Sequence, residues 1–168
     1  MACTRGTGLF AEALSHCRHG RRLRETISGL RVETYAGKSF EEVFGEVYTT
    51  CRTPANKYGI GKLTVYDLAA AICRHHSIQI PHVYIIGSGP KRAVKLLGLE
   101  TSIQHIGDVS LHYVELSAVL NALRASSLAT GDTPSVAGDA DTMETYLCNW
   151  QKTIATMKSS PSAPQAQQ

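Results

Sequence analysis

No apolar run in this sequence approaches the roughly 20 residues that a membrane-spanning helix needs, so no membrane partner is expected. It also lacks any CxxC pair. The five cysteines, Cys3, Cys17, Cys51, Cys73 and Cys148, are odd in number and widely spaced. That pattern argues against a disulfide framework and against a cysteine-rich zinc site, and it points to a reducing, cytoplasmic setting. The opening segment MACTRGTGLFAEALSHCRHG has none of the apolar core of a secretory signal and reads as structure, an Arg-rich transit peptide being the lesser alternative. Charged residues are sparse at 18%, against 43% hydrophobic, which excludes a charge-rich disordered chain. With 168 residues the chain can bury a real core, and we expect a single domain over 1–157 followed by a disordered tail at 158–168.

What charge there is falls unevenly. Residues 52–99 carry Arg52, Lys57, Lys62, Arg74, Lys91, Arg92 and Lys95 against Asp67 alone, whereas residues 39–51 carry three Glu and no base. Residues 100–168 hold more acids than bases. A basic middle segment is what a polyanion partner requires.

Periodicity predicts a mostly α fold. Leu9, Phe10, Ala13, Leu14 and Cys17 recur at helical spacing within 8–28, and a turn or short strand follows at 29–38. Ser39 suits an N-cap, with Glu41 and Glu42 in the first turn and an apolar stripe of Phe40, Val43, Phe44, Val47 and Tyr48 running to Arg52. Thr64 can cap a helix burying Leu68, Ala69, Ile72 and Cys73. Pro90 fits the first turn of the next helix, and Gly98 fits its end. Asp108 or Ser110 is expected to cap a run LHYVELSAVLNAL. Residues 126–140 read as a loop, and Met143, Tyr146, Leu147, Trp150 and Ile154 read as the buried face of a last helix.

Within the basic segment two stretches share a shape. Tyr58-Gly59-Ile60-Gly61-Lys62 and Ile86-Gly87-Ser88-Gly89-Pro90-Lys91 each set a Gly-x-Gly turn before a helix. Glycine lets a phosphate approach the backbone closely, and a helix start offers unsatisfied N–H groups at the positive end of the dipole. Lys62, Lys91, Arg92 and Lys95 add charge, and Ile60 is expected to point inward. Such contacts hold a duplex without reading its sequence. They require both loops to face solvent with their amides unclaimed.

The segment GSGPKRAVKLLGL resembles the second half of a helix-hairpin-helix motif, with Gly87, Gly89, Lys91, Ala93 and Leu96 or Leu97 matching. Ser88 departs from it, since that family has an aliphatic residue there. Gly59, Ile60 and Gly61 match the hairpin better, although Val65-Tyr66-Asp67 replaces the usual Thr-Ala pair. The resemblance covers about residues 40–100 and implies a tandem helix-hairpin-helix region. In that superfamily it implies a non-sequence-specific grip on the backbone of duplex or branched DNA, by Gly59, Ile60, Gly61, Lys62, Gly87, Ser88, Gly89, Lys91, Arg92 and Lys95, with no cofactor and no metal. The module would serve a larger assembly that repairs, processes or transfers DNA. GIGKLTVYDLA, PHVYIIGSG and a late YLCNW also resemble a group of uncharacterised bacterial proteins, which implies no activity.

Other readings compete. The same fold can serve protein–protein contacts alone. One enzymatic branch of the superfamily, the DNA glycosylase/lyases, places a lysine in the hairpin and an aspartate downstream, which would cast Lys91 as nucleophile and Asp108 as its assistant. The chain has no long amino-terminal helical domain for a flipped base, and Asp108 serves equally as a helix cap. VYIIGSGPKRA mimics a dinucleotide-binding turn, but Arg92 stands where the third glycine must allow close packing. His75 and His76 are adjacent and diverge by about 100° on a helix, so they do not share one ion readily. His16, Cys17 and His19 lack a third ligand. RHGRRLR at 18–24 is either polyanion surface or a solvated face, and Tyr48, Tyr58 and Tyr66 are better core residues than stacking platforms.

Overall fold

A computed structural model describes residues 30–52, 60–126 and 139–159, with side chains to 156. The segment 8–28, the connector 53–59 with Gly59, most of the loop at 126–140 and nearly all of the tail 158–168 lie outside the described residues. The elements are a 3-10 turn at Val32–Tyr35, α1 Phe40–Cys51, α2 Lys62–His75, β1 Val83–Tyr84, α3 Ser88–Leu96, β2 Ser102–Ile106, β3 Val109–Val114, α4 Leu116–Ala125 and α5 Ala140–Ser159. They fall into two compact units, Met1–Pro81 with Ile103–His112, and His82–Ser102 with Tyr113–Gln168.

In the first unit α1 starts as its sequence predicts. The Ser39 hydroxyl accepts from the Glu42 amide at 3.3 Å, and the Glu42 carboxylate accepts from the Ser39 amide at 2.8 Å. This reciprocal capping box satisfies two donors that every helix start leaves orphaned. Phe40, Val43, Phe44, Val47, Tyr48 and Cys51 are buried along one stripe. The helix packs on α2, where the Phe40 ring meets Tyr66 edge-on at 6.0 Å between centroids. α2 buries Val65, Tyr66, Leu68, Ala69, Ile72 and Cys73. Its far end is tied to the 3-10 turn by the His76 Nε2 atom, 2.7 Å from the Val32 carbonyl oxygen.

The expected mostly α fold is corrected by a three-stranded sheet in the order β1-β3-β2. β2 and β3 are joined through Gly107 and Asp108, and so short a link forces an antiparallel hairpin. Gly107 has φ +59°, the first-position conformation that a two-residue hairpin turn of the II′ kind demands. Along β3, Val109, Leu111 and Val114 are buried while His112 is exposed and Ser110 half-exposed. The run LHYVELSAVLNAL, expected as one capped helix, divides between β3 and α4. The helix begins only at Leu116, with Glu115 as N-cap. Asp108 and Ser110 are therefore not helix caps.

The second unit holds β1, which pairs antiparallel with the end of β3, Val83 to Val114 and Tyr84 to Tyr113. A strand, not a helix, thus precedes the second glycine turn. That corrects the expected pair of helix-hairpin-helix units, since the element there is strand–turn–helix. α3 ends as predicted: Gly98 takes φ +66°, with the Leu99 amide on the Val94 carbonyl at 3.1 Å and the Gly98 amide on the Lys95 carbonyl at 3.2 Å. This is the Schellman arrangement, which satisfies last-turn carbonyls and favours glycine at that position. α5 packs on α3 and β1. Met143, Leu147, Trp150 and Ile154 are buried, and Tyr146 is half-exposed. Asp139 caps α5, its carboxylate accepting from the Thr142 amide at 2.8 Å.

Candidate functional site

The first glycine turn leads into α2 through Gly61, which is the N-cap itself at φ −74° and ψ 164°. This places the helix start three residues before the cap expected at Thr64. A glycine has no side chain to accept from the first-turn amides, no side chain caps this end, and no acid stands in its first turn. Only the fourth amide, of Val65, closes back on the Gly61 carbonyl, at 3.2 Å. The amides of Lys62, Leu63 and Thr64 belong to the group that a helix leaves to solvent or to an anion. Gly61 is exposed, and a Cβ built on it meets nothing within 4 Å. Lys62 is exposed too, while Ile60 is half-buried and so points inward only in part.

The Lys62 ammonium donates to the Ser110 carbonyl oxygen of β3 at 3.2 Å. That carbonyl faces away from β2, so the lysine satisfies part of a strand edge beyond the short reach of β1. An ammonium has three donors, so this bond leaves capacity for a further acceptor. The Ser110 hydroxyl lies 3.0 Å from His105 Nδ1. Lys62, Ser110 and His105 therefore form one chain of contacts beside the open end of α2. Sequence reasoning missed Ser110 and His105 here, although the Gly-Asp pair between alternating apolar residues was the available hairpin signal.

The second turn is built differently. Gly87 is the N-cap of α3, again without a side-chain cap or a first-turn acid, and Ser88 is exposed. Gly89 is half-buried beneath α5: a Cβ placed on it would lie 2.7 Å from Cys148 Sγ and 3.3 Å from Cys148 Cα. Its lack of a side chain is accounted for by helix packing, not by the approach of a phosphate. Pro90 has no N–H, which removes one donor from this helix start. Gly61 stands open and Gly89 does not, which corrects the expected grip by two open glycine turns: only the turn at Gly61 keeps the geometry that grip requires. Lys91, Arg92 and Lys95 are exposed on α3, opposite the buried Pro90, Ala93 and Val94.

Lys91 lies in the second unit and Asp108 in the hairpin turn of the first. Lys91 is exposed, unlike an amine nucleophile set in a desolvated pocket. Among the described residues no group of three or more His, Cys, Asp or Glu could hold a metal ion, and no helix is long and apolar enough to cross a membrane. No family model matches the chain, and no curated protein or solved structure matches it either.

Proposed function

We propose that this chain is a non-sequence-specific DNA-binding module that holds the phosphate backbone chiefly at the start of α2. The observation that carries the reading is the open helix end at Gly61, with no cap or first-turn acid and with an exposed lysine as its first residue. Such an end combines oriented amides, the positive dipole and a cation, the set that a phosphodiester needs. Lys91, Arg92 and Lys95 support it as side-chain contacts from the second unit. Gly87 and Ser88 would contribute backbone at most, and Gly89 none beyond its packing role. The partner on this reading is duplex or branched DNA, within a larger assembly in a reducing, cytoplasmic setting.

Gly61→Asp separates this reading from a structural one. An aspartate suits the extended backbone at an N-cap and should raise stability by a few tenths to about 1 kcal/mol through capping and the dipole. The same carboxylate occupies the anion site and repels phosphate. We expect the variant to be at least as stable as wild type in urea and to bind duplex and junction DNA at least about tenfold more weakly in gel-shift titrations, a loss of about 1.4 kcal/mol. Undiminished DNA affinity in a stabilised Gly61→Asp variant would remove α2 from the contact surface. Absence of any salt-dependent DNA retention by the wild type would favour the protein–protein reading instead.

A further inference from the structure

We propose that β2 is a docking edge for a second copy of this chain, the two strands pairing antiparallel about a two-fold axis at Gln104. The sheet order leaves β2 at the margin, with no strand on its outer side among the described residues. A free edge presents a row of backbone donors and acceptors, and natural proteins blunt such edges with lysine, proline, bulges or a covering element. The strand Ser102–Ile106, SIQHI, contains neither lysine nor proline, and Ile103 is 53% exposed.

The register follows from contacts already described. The two-residue turn at Gly107 and Asp108 pairs Ile106 with Val109 as the closing hydrogen-bonded pair and so sets His105 opposite Ser110, in keeping with their 3.0 Å side-chain contact and with a Ser110 carbonyl that is open to Lys62. Their pair is thus of the non-hydrogen-bonded kind, in which both residues turn their backbone groups outward. His105 and, two residues on, Ile103 therefore present N–H and C=O to the open margin, while Gln104 and Ile106 bond inward to β3. The inner face is held on α1: the Gln104 amide donates to Glu41 Oε1 at 3.1 Å, and Gly45 leaves room beside Ile106. The strand is pre-set before any partner arrives.

A second β2 fits this margin by symmetry. With the axis at Gln104, Ile103 of each copy lies opposite His105 of the other, and the four outward positions form two fully bonded pairs. None of the five residues of β2 is Asp, Glu, Lys or Arg, so two copies meet without a fixed like-charge pair opposed across the joint. Ile103 is then covered across the joint. So short a joint buries less than the roughly 1,200 Å² of a stable interface, so the association is weak and concentration-dependent.

Sedimentation velocity from about 10 μM to about 1 mM, the range suited to so small an interface, should show a monomer–dimer equilibrium. Ile103→Lys, at an exposed site, should raise the dissociation constant at least about tenfold by setting two ammonium groups at the joint, and Ile103→Val should leave it within about twofold. Amide exchange at Ile103 and His105 should slow as wild-type concentration rises. A monomer throughout the range overturns the proposal. So does a dimer in which those two amides exchange at the monomer's rate, whatever the fate of the lysine variant.

Discussion

Gly61 and Gly89 look alike in sequence, each closing a Gly-x-Gly turn, yet their surroundings give them opposite tolerances. A methyl group on Gly61 meets open space, whereas one on Gly89 meets the Cys148 sulfur and backbone of α5. We expect Gly89→Ala to lower stability by about 1–3 kcal/mol, the usual range for overpacking, as read from urea denaturation midpoints. Adding Cys148→Ala should recover part of that loss, because the sulfur is the nearest obstacle and the Cys148 Cα remains. An unchanged midpoint in Gly89→Ala would mean that α5 does not seat there. Cys51 offers a second test at this scale. Burial pushes its thiol up from 9.0 to about 11, and Tyr35 shifts upward from 10.0, first through burial and then through Glu46 and Cys51. The folded protein keeps protons that the unfolded chain has already released. The stabilising contribution of Cys51 is thus whole below pH 9.0 and lost as pH rises through about 11. Stability should fall across that window, and more gently in Cys51→Ala once the constant cost of the smaller side chain is subtracted.

At the scale of elements, helix ends divide into those closed by their own side chains and those left open. α1 closes with Ser39 and Glu42, and α5 with Asp139. Ser39→Ala should cost about 1 kcal/mol, the typical loss of a cap, measured by thermal or chemical denaturation. The backbone and hydroxyl of Ser39 hold the Glu42 carboxyl below its usual range. That contribution is present above pH 4.5 and lost as pH falls through the lowered value, and Ser39→Ala, which keeps the backbone donor and removes the hydroxyl, should flatten the acid limb of the stability curve only in part. α1 was fully legible because cap, acids and apolar stripe agree within 14 residues. The β2–β3 hairpin was not, because its apolar residues also fit helical spacing and its turn residues doubled as plausible caps. Deciding between them needed the partners: Lys62 on the β3 edge, α1 beneath β2 and β1 beside Val114.

Across the whole molecule, the concentration of positive charge in residues 52–99 was visible at once, and its distribution over two units was not. Lys62 belongs to the first unit, and Lys91, Arg92 and Lys95 to the second. If both contact one DNA, the dependence of log affinity on log salt should carry a slope of roughly 0.9 per phosphate neutralised. Replacing Lys91, Arg92 and Lys95 by alanine should then flatten that slope by up to about 3, in titrations at several salt concentrations, while exposed positions such as these leave stability within about 0.5 kcal/mol. A slope equal to that of wild type would confine DNA to the first unit.

Local chemistry, read along the chain, was enough to set the capped helix at Phe40–Cys51, the glycine stop at Gly98 and the buried face of the last helix. Each depends on neighbours within about four residues, the range over which a helix satisfies itself. The sheet, the edge at Ile103 and the difference between Gly61 and Gly89 depend on residues distant in sequence. A strand meets its hydrogen bonds outside itself, and the space beside a glycine is set by whatever helix folds against it. Those features came only with the tertiary structure.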